Sequence, residues 1–206
     1  MTQTIHRPRC PQCQQLQNRC FCRHVHRHSL PWPLVVLQDH REAGTAKNTV
    51  PLLRHCLPQV LCWTTQDFSQ HNQLDELLRD PGRYCILVYP GESAQTPAAL
   101  APAPAGREYC FILLDGTWRQ SLRLLHSHPL LLTLPRVKLT PMRASGYLIR
   151  KAPRADSLST FEAAATLLAH WDHEAANSML TCFDNWIAAE LQHLPATIRS
   201  RYLPSD

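Results

Sequence analysis

The sequence predicts an α/β layer fold, and three observations carry that prediction. Apolar runs of strand length alternate with helix-spaced segments along most of the chain. Polar clusters stand where those runs end: His40 to Glu42, Tyr89 to Gly91 and Asp115 to Thr117. In open parallel sheets such ends face one crevice, where ligands bind. The third observation is the stretch from Cys110 to Leu122. Cys110 to Leu114 is continuously apolar, as a strand buried on both faces requires. Asp115 places a carboxylate at its end, and Gly116 lets the backbone turn sharply or approach a ligand. Thr117 and Gln120 then have capping-box spacing, with Leu122 and Leu125 as the apolar stripe of the helix that follows. The same residues also fit plain helix capping, with no chemistry attached.

The elements follow in order. Leu34 to Leu37 is the first buried strand, ending in the cluster Gln38-Asp39-His40-Arg41-Glu42. Asn48 or Thr49 can cap a helix, and Pro51 is tolerated in its first turn. Val60 to Trp63 is a second short strand. Ser69 to Arg79 has helical spacing through Leu74, Leu77 and Leu78, and Asp80-Pro81-Gly82 stops it. Tyr84 to Val88 is a further strand, turned by Tyr89-Pro90-Gly91. Ser93 to Gly106, rich in Ala and Pro, reads as a surface loop with little fixed structure. Val137 to Leu139 is a short strand, Thr140 to Gly146 a loop, and Tyr147 to Arg150 a strand or an extended entry to the next helix. Ser159-Thr160-Phe161-Glu162 is a second capping box, continued by a helix to Trp171. Ala175 to Leu194 is amphipathic, with Leu180, Phe183, Trp186, Ile187 and Leu191 as its core face. The tail from Arg199 to Asp206 is basic, and no internal repeat appears.

Residues 1–31 read as a separate unit, with 32–206 as the α/β domain. The chain has 206 residues and nine cysteines, four of them spaced Cys10-x2-Cys13-x6-Cys20-x-Cys22. Four thiolates can close a tetrahedral zinc site with no open position, which makes it structural. Reduced thiols in a loose arm, or a redox pair, are the alternatives. The N-terminus is polar and basic without the apolar stretch of a secretory signal, so a cytoplasmic protein is expected. No apolar run is long enough to span a membrane. The formal charge is +5, with twelve histidines besides. Around the cysteines stand Arg7, Arg9, Arg19, Arg23, His24, His26, Arg27 and His28. A metal would hold this basic loop rigid against RNA phosphates, although a solvated charged arm has the same composition.

The quartet Asp115-Gly116-Thr117-Trp118 resembles the signature of the DTW-domain family, the tRNA-uridine aminocarboxypropyltransferases. The resemblance extends to the Cys-rich start, His40 to Glu42, Asn48-Thr49, Tyr89-Pro90, Ser145-x-Tyr147-x-x-Arg150 and Leu158-Ser159-Thr160-x-Glu162-Ala163. These motifs stand in the family's order, and Lys47 departs from the Thr or Ser expected there. The resemblance implies a SPOUT-like fold, usually knotted near the cofactor site, with flanking helices. It implies S-adenosylmethionine as donor of a 3-amino-3-carboxypropyl group and N3 of a tRNA uridine as acceptor, with methylthioadenosine released. It implies tRNA as partner, and neither a membrane nor a protein partner.

That chemistry suggests roles. Uridine N3 must lose a proton to become a good nucleophile, and Asp115 is the candidate to accept or direct it. Cofactor-binding candidates are Tyr89, Pro90, Gly91, Asp115, Gly116, Thr117, Trp118, Ser145, Tyr147, Ser159 and Thr160, several at helix N-termini. RNA-binding candidates are Arg19, Arg23, Arg27, His40 and Arg150. Trp118 can stack on a base, but a tryptophan one residue into a helix is more often core packing. Glu162 reads as a cap partner. Two other functions share these residues: a SPOUT-type RNA methyltransferase using the same donor, and a non-catalytic zinc-containing RNA-binding protein.

Overall fold

The computed structural model describes residues 8–45, 47–147 and 157–199. Arg7, Arg150 and the tail beyond Arg199 lie outside them, as does the expected strand over 147–150 apart from Tyr147. Five parallel strands form the sheet: β1 (Leu34–Asp39), β2 (Leu61–Thr65), β3 (Arg83–Val88), β4 (Glu108–Asp115) and β5 (Arg136–Val137). Their order is β2-β1-β4-β3-β5. The helices are α1 (His40–Ala43), α2 (Val50–Cys56), α3 (Asn72–Arg79), α4 (Trp118–Ser127), α5 (Pro129–Thr133), α6 (Thr160–Leu168), α7 (His173–Gln192) and α8 (Ala196–Arg199).

Alternation along the central strands feeds two apolar layers. Leu34 and Val36 of β1 and Phe111 and Leu113 of β4 point to one face, where α2, α6 and α7 cover them. Val35, Leu37 and Ile112 point to the other, beneath Leu74 of α3, Leu124 and Leu125 of α4 and Leu131 of α5. Each fully buried side chain of this size contributes about 1.5–3 kcal/mol, so the strands are specified by having two faces to cover. The five expected core residues of α7 are all buried.

Some expectations need correction. In α4 the buried residues are Ser121, Leu124 and Leu125, while Leu122 is exposed. A helix starting at Trp118 turns that face away from the sheet. Pro129, at the first position of α5, starts a second short helix directly after α4. The Ala- and Pro-rich loop is tied down. Gln95 donates to the Arg136 carbonyl at 2.9 Å and accepts from the Lys138 N–H at 2.8 Å, extending the sheet beside β5. Strand limits also shift: the second strand begins at Leu61 and runs to Thr65, and the fifth covers only Arg136–Val137.

The strand order sets the site. From β1 the chain passes through α2 to β2 on one side, and from β4 through α4 and α5 to β5 beyond β3 on the other. The first connection covers one face and the second covers the opposite face. The chain therefore diverges between neighbouring β1 and β4, which is where a doubly covered sheet opens a crevice. No helix among the described residues is long and apolar enough to cross a membrane.

Candidate functional site

The crevice is built on register. Gln38 of β1 lies directly opposite Asp115 of β4. Gln38 Nε2 donates to Asp115 Oδ2 at 2.8 Å, and Thr160 Oγ1 donates to Asp115 Oδ1. Gln38 is itself fixed: its Oε1 accepts from Thr64 Oγ1 at 3.0 Å, and its Nε2 also reaches Asn48 Oδ1 at 3.3 Å. Asn48 Oδ1 accepts from the Val50 N–H at 2.9 Å, which anchors the start of α2. Strands β1, β2 and β4 and the starts of α2 and α6 thus converge on one carboxylate. Asp115 is 8% exposed, so it sits at the boundary between core and solvent.

The turn after Asp115 has the expected form. Thr117 and Gln120 make a complete capping box, with Gln120 N to Thr117 Oγ1 at 3.3 Å and Thr117 N to Gln120 Oε1 at 2.5 Å. A Cβ at Gly116 would stand 2.8 Å from Gln120 Cβ, so the box closes only over glycine. Trp118 is not in the core. It is 53% exposed and stacks on Tyr89, with centroids 5.4 Å apart and planes 17° from parallel. The Arg136 guanidinium carbon lies 5.9 Å from the Tyr89 ring centre. The Tyr89 hydroxyl is buried with no hydrogen-bond partner among the described residues, and burial raises its pKa despite the opposing charge of Arg136. Pro90 and Gly91 complete the turn beside Arg136.

Glu162 does more than cap. It closes the second capping box with Ser159. Its carboxylate also accepts from Ser145 Oγ at 2.9 and 3.0 Å and from the Gly146 N–H at 2.9 Å. Ser145 and Ser159 are thereby gathered at the start of α6, one residue from Thr160. Tyr147 donates its hydroxyl to the Lys47 carbonyl, so the departure at Lys47 still supplies a backbone acceptor.

Sequence reasoning passed over Asp39. It is fully buried at the end of β1, and its carboxylate accepts from the Arg41 backbone N–H at 3.0 Å, from Arg41 Nε at 3.2 Å and from Arg123. His40 Nδ1 lies 3.5 Å away. Burial alone would raise this carboxyl, but the Arg41 hydrogen bonds and the charges of Arg123 and Arg41 outweigh it and hold it below its ordinary value. The available signal was an acidic residue ending an otherwise apolar strand.

The four N-terminal cysteines converge, with every Sγ within 4.8 Å of the others. Cys10 to Cys22 and Cys13 to Cys20 are 3.8 Å apart and Cys10 to Cys20 is 3.4 Å. Four sulfurs about 2.3 Å from a central zinc would stand about 3.8 Å apart, so this donor set fits the metal. The cysteine segment packs against the rest of the chain. Phe21 is buried edge-on against His55, His55 Nε2 lies 3.2 Å from the Gln12 carbonyl, and His193 Nε2 lies 2.6 Å from the Asn18 carbonyl. Arg19 faces Glu190 of α7 at 3.5 Å, and Arg23 Nε donates to the His24 ring at 2.9 Å. Arg27 instead lines a cavity of about 490 Å³ that reaches Gln38.

The class of protein follows from fold and site together: a parallel α/β protein whose polar crevice lies where the chain diverges between two central strands. The DTW domain family matches residues 7–191, and the chain belongs to that family. Its relatives include tRNA-uridine aminocarboxypropyltransferase 2 of Macaca fascicularis, 32% identical over 169 residues, covering 79% of this chain and 56% of that protein. The Mus musculus protein of the same name is 31% identical over 168 residues, covering 79% and 56%. That of Drosophila melanogaster is 30% identical over 175 residues, covering 79% and 66%. The chain thus spans little more than half the length of its mammalian relatives. No solved structure matches it.

Proposed function

We propose that this chain is a tRNA-uridine aminocarboxypropyltransferase: it moves the 3-amino-3-carboxypropyl group of S-adenosylmethionine to N3 of a uridine in tRNA and releases methylthioadenosine. The observation that carries this reading is the Asp115 carboxylate, oriented by Gln38 and Thr160 at the crevice of a chain that belongs to the DTW domain family. The relatives' name supplies the reaction class. We place the fold with the SPOUT-like proteins, including their knot, and assign residues 1–31 to a zinc-binding basic unit and 32–206 to the catalytic domain.

The donor supplies an activated sulfonium leaving group, so the protein needs only to bind it, orient it and handle one proton. Trp118 and Tyr89 offer an aromatic surface that suits an adenine ring or a sulfonium. The unsatisfied Tyr89 hydroxyl marks that surface as wanting a polar partner. Pro90, Gly91, Gly116 and Thr117 shape the backbone around it. Ser145, Tyr147, Ser159 and Thr160 bound the crevice from the α6 side. Asp115 directs the N3 proton as the uridine attacks the carbon next to sulfur, breaking the bond from that carbon to the sulfonium. Gln38 and Thr160 keep the carboxylate in place and so act as positioning residues. Arg19, Arg23, Arg27, His40 and Arg150 serve the RNA, and Cys10, Cys13, Cys20 and Cys22 hold a structural zinc.

The test is the by-product formed when protein, S-adenosylmethionine and unmodified tRNA are incubated together. Methylthioadenosine in step with modified uridine is the expected result. Adenosylhomocysteine would replace this reading with methylation, and neither product would leave a zinc-containing RNA-binding protein.

A further inference from the structure

Asp115 ends the central strand, and the two sides of the sheet beside it differ in character. Toward β3 and β5 stands the aromatic stack of Trp118, Tyr89 and Arg136. Toward β1 and β2 opens the cavity of about 490 Å³, a nucleotide-scale space. Its walls combine the cysteine unit, α2 and the strand ends, through Arg27, Arg54, His55, Thr64 and Gln38. No carboxylate lines it among the described residues. Arg54 and Arg27 are both exposed, and neither has an ion-pair partner among the described residues. Arg41 and Arg123, two other cationic groups near the crevice, are paired to Asp39. Two guanidinium groups without a described ion-pair partner, at a cavity whose described lining holds no acidic residue, suit a phosphodiester, which an arginine fork can grip bidentately. The floor of the same cavity is Gln38, which touches the Asp115 carboxylate at 2.8 Å.

We infer that this cavity is the acceptor-side RNA site: Arg54, with Arg27 across from it, grips a backbone phosphate of the RNA and sets the adjoining nucleoside toward Gln38 and Asp115. This assignment rests on the transferase reading above and divides the crevice, with the donor on the aromatic side and the acceptor on the basic side. Arg54 is the new residue in it. Its place on α2, held against the core by Leu52, Leu53 and Cys56, gives a fixed anchor close to the crevice. Arg19 and Arg23, by contrast, engage Glu190 and His24.

The experiment measures binding of an unmodified tRNA transcript to the full chain by fluorescence anisotropy over a salt series, alongside calorimetric titration with S-adenosylmethionine. Arg54→Gln should weaken tRNA binding by about five- to tenfold and lower the log–log salt slope by roughly one unit, leaving donor affinity unchanged. Arg54→Lys keeps the charge and should keep the slope while losing part of the affinity. Arg79→Gln, the same charge change on exposed α3 at the opposite face, should alter neither. Unchanged tRNA binding in Arg54→Gln would overturn the assignment, as would an equal effect from Arg79→Gln, which would reduce it to net charge. Selective loss of donor affinity would also overturn it, giving the cavity to the donor carboxylate instead. Because RNA binding is read without turnover, an Arg54-dependent slope in a protein that forms no methylthioadenosine would uphold the RNA site and remove the reaction.

Discussion

Gln38 and Asp115, 77 residues apart in sequence, face each other across two neighbouring parallel strands and share a 2.8 Å hydrogen bond. The bond fixes the carboxylate oxygen nearest the basic cavity, and Thr160 fixes the other. Asp115→Asn should therefore leave the fold intact, since an amide can still accept from Gln38 while the Thr160 hydroxyl rotates to accept in turn. What the amide lacks is the ability to take a proton. Single-turnover formation of modified uridine should fall about 10²- to 10⁴-fold, with donor affinity largely kept. Near-normal transfer would remove Asp115 as the base, and a collapse of donor binding would make it a ligand of the donor.

Trp118 is half exposed and stacked on Tyr89, so its loss should barely affect stability. Trp118→Ala should instead weaken donor binding by roughly fivefold or more, since aromatic stacking contributes about 0.5–1.5 kcal/mol beyond simple burial. Trp118→Phe should recover much of it. Calorimetric titration of both variants decides the matter. A large drop in melting temperature with unchanged donor affinity would give Trp118 a structural role.

The cysteine cluster should carry one zinc per chain, measurable by elemental analysis of the purified protein. Cys20→Ser should abolish metal retention. Phe21 is buried among core residues that include Leu52, Leu53 and Phe183, so metal loss should also lower the melting temperature of the whole chain. Protein purified without metal, at an unchanged melting temperature, would favour plain reduced thiols.

Asp39 gives a pH signature. Its folded carboxyl titrates below the usual value of about 3.9 because the Arg41 hydrogen bonds and the Arg123 charge overcome the effect of burial. A depressed folded pKa means that its contribution to stability is complete above the unfolded value and disappears as pH falls through the folded one. Denaturant unfolding followed downward from pH 5 should show wild type losing stability faster than Asp39→Asn, which starts lower. Parallel pH curves for the two would show that Asp39 contributes nothing to acid sensitivity.

Much of this was legible in the sequence for local reasons. Both capping boxes, the apolar strands and the buried face of α7 are encoded within a few residues, where periodicity and cap chemistry act. The crevice position was legible too, because Asp115 and Tyr89 end apolar runs. What pairing brings together was not. Gln38 meets Asp115 only because β1 lies beside β4, and strand order is not written in either segment. Arg123 reaches Asp39 across 84 residues, for the same reason. Trp118 illustrates the opposite difficulty: a large apolar side chain is expected inside, and only the direction of α4 shows it facing out. The cap role of Glu162 follows from local spacing, but its grip on Ser145 and Gly146 depends on the preceding loop folding back.

The docking of the cysteine unit on the long helix has a consequence for how this chain is made. Arg19 and Asn18 find their partners in and just beyond α7, at Glu190 and His193. A ribosome delivers the first of these groups long before the second. At about 5–20 residues per second, synthesis from Asn18 to His193 takes roughly 10 to 30 s. For that interval Asn18 and Arg19 lack their native partners, while His55, which covers Phe21, emerges early. The contacts that tie the cysteine segment to α7 therefore form only after nearly all of the described residues have been made.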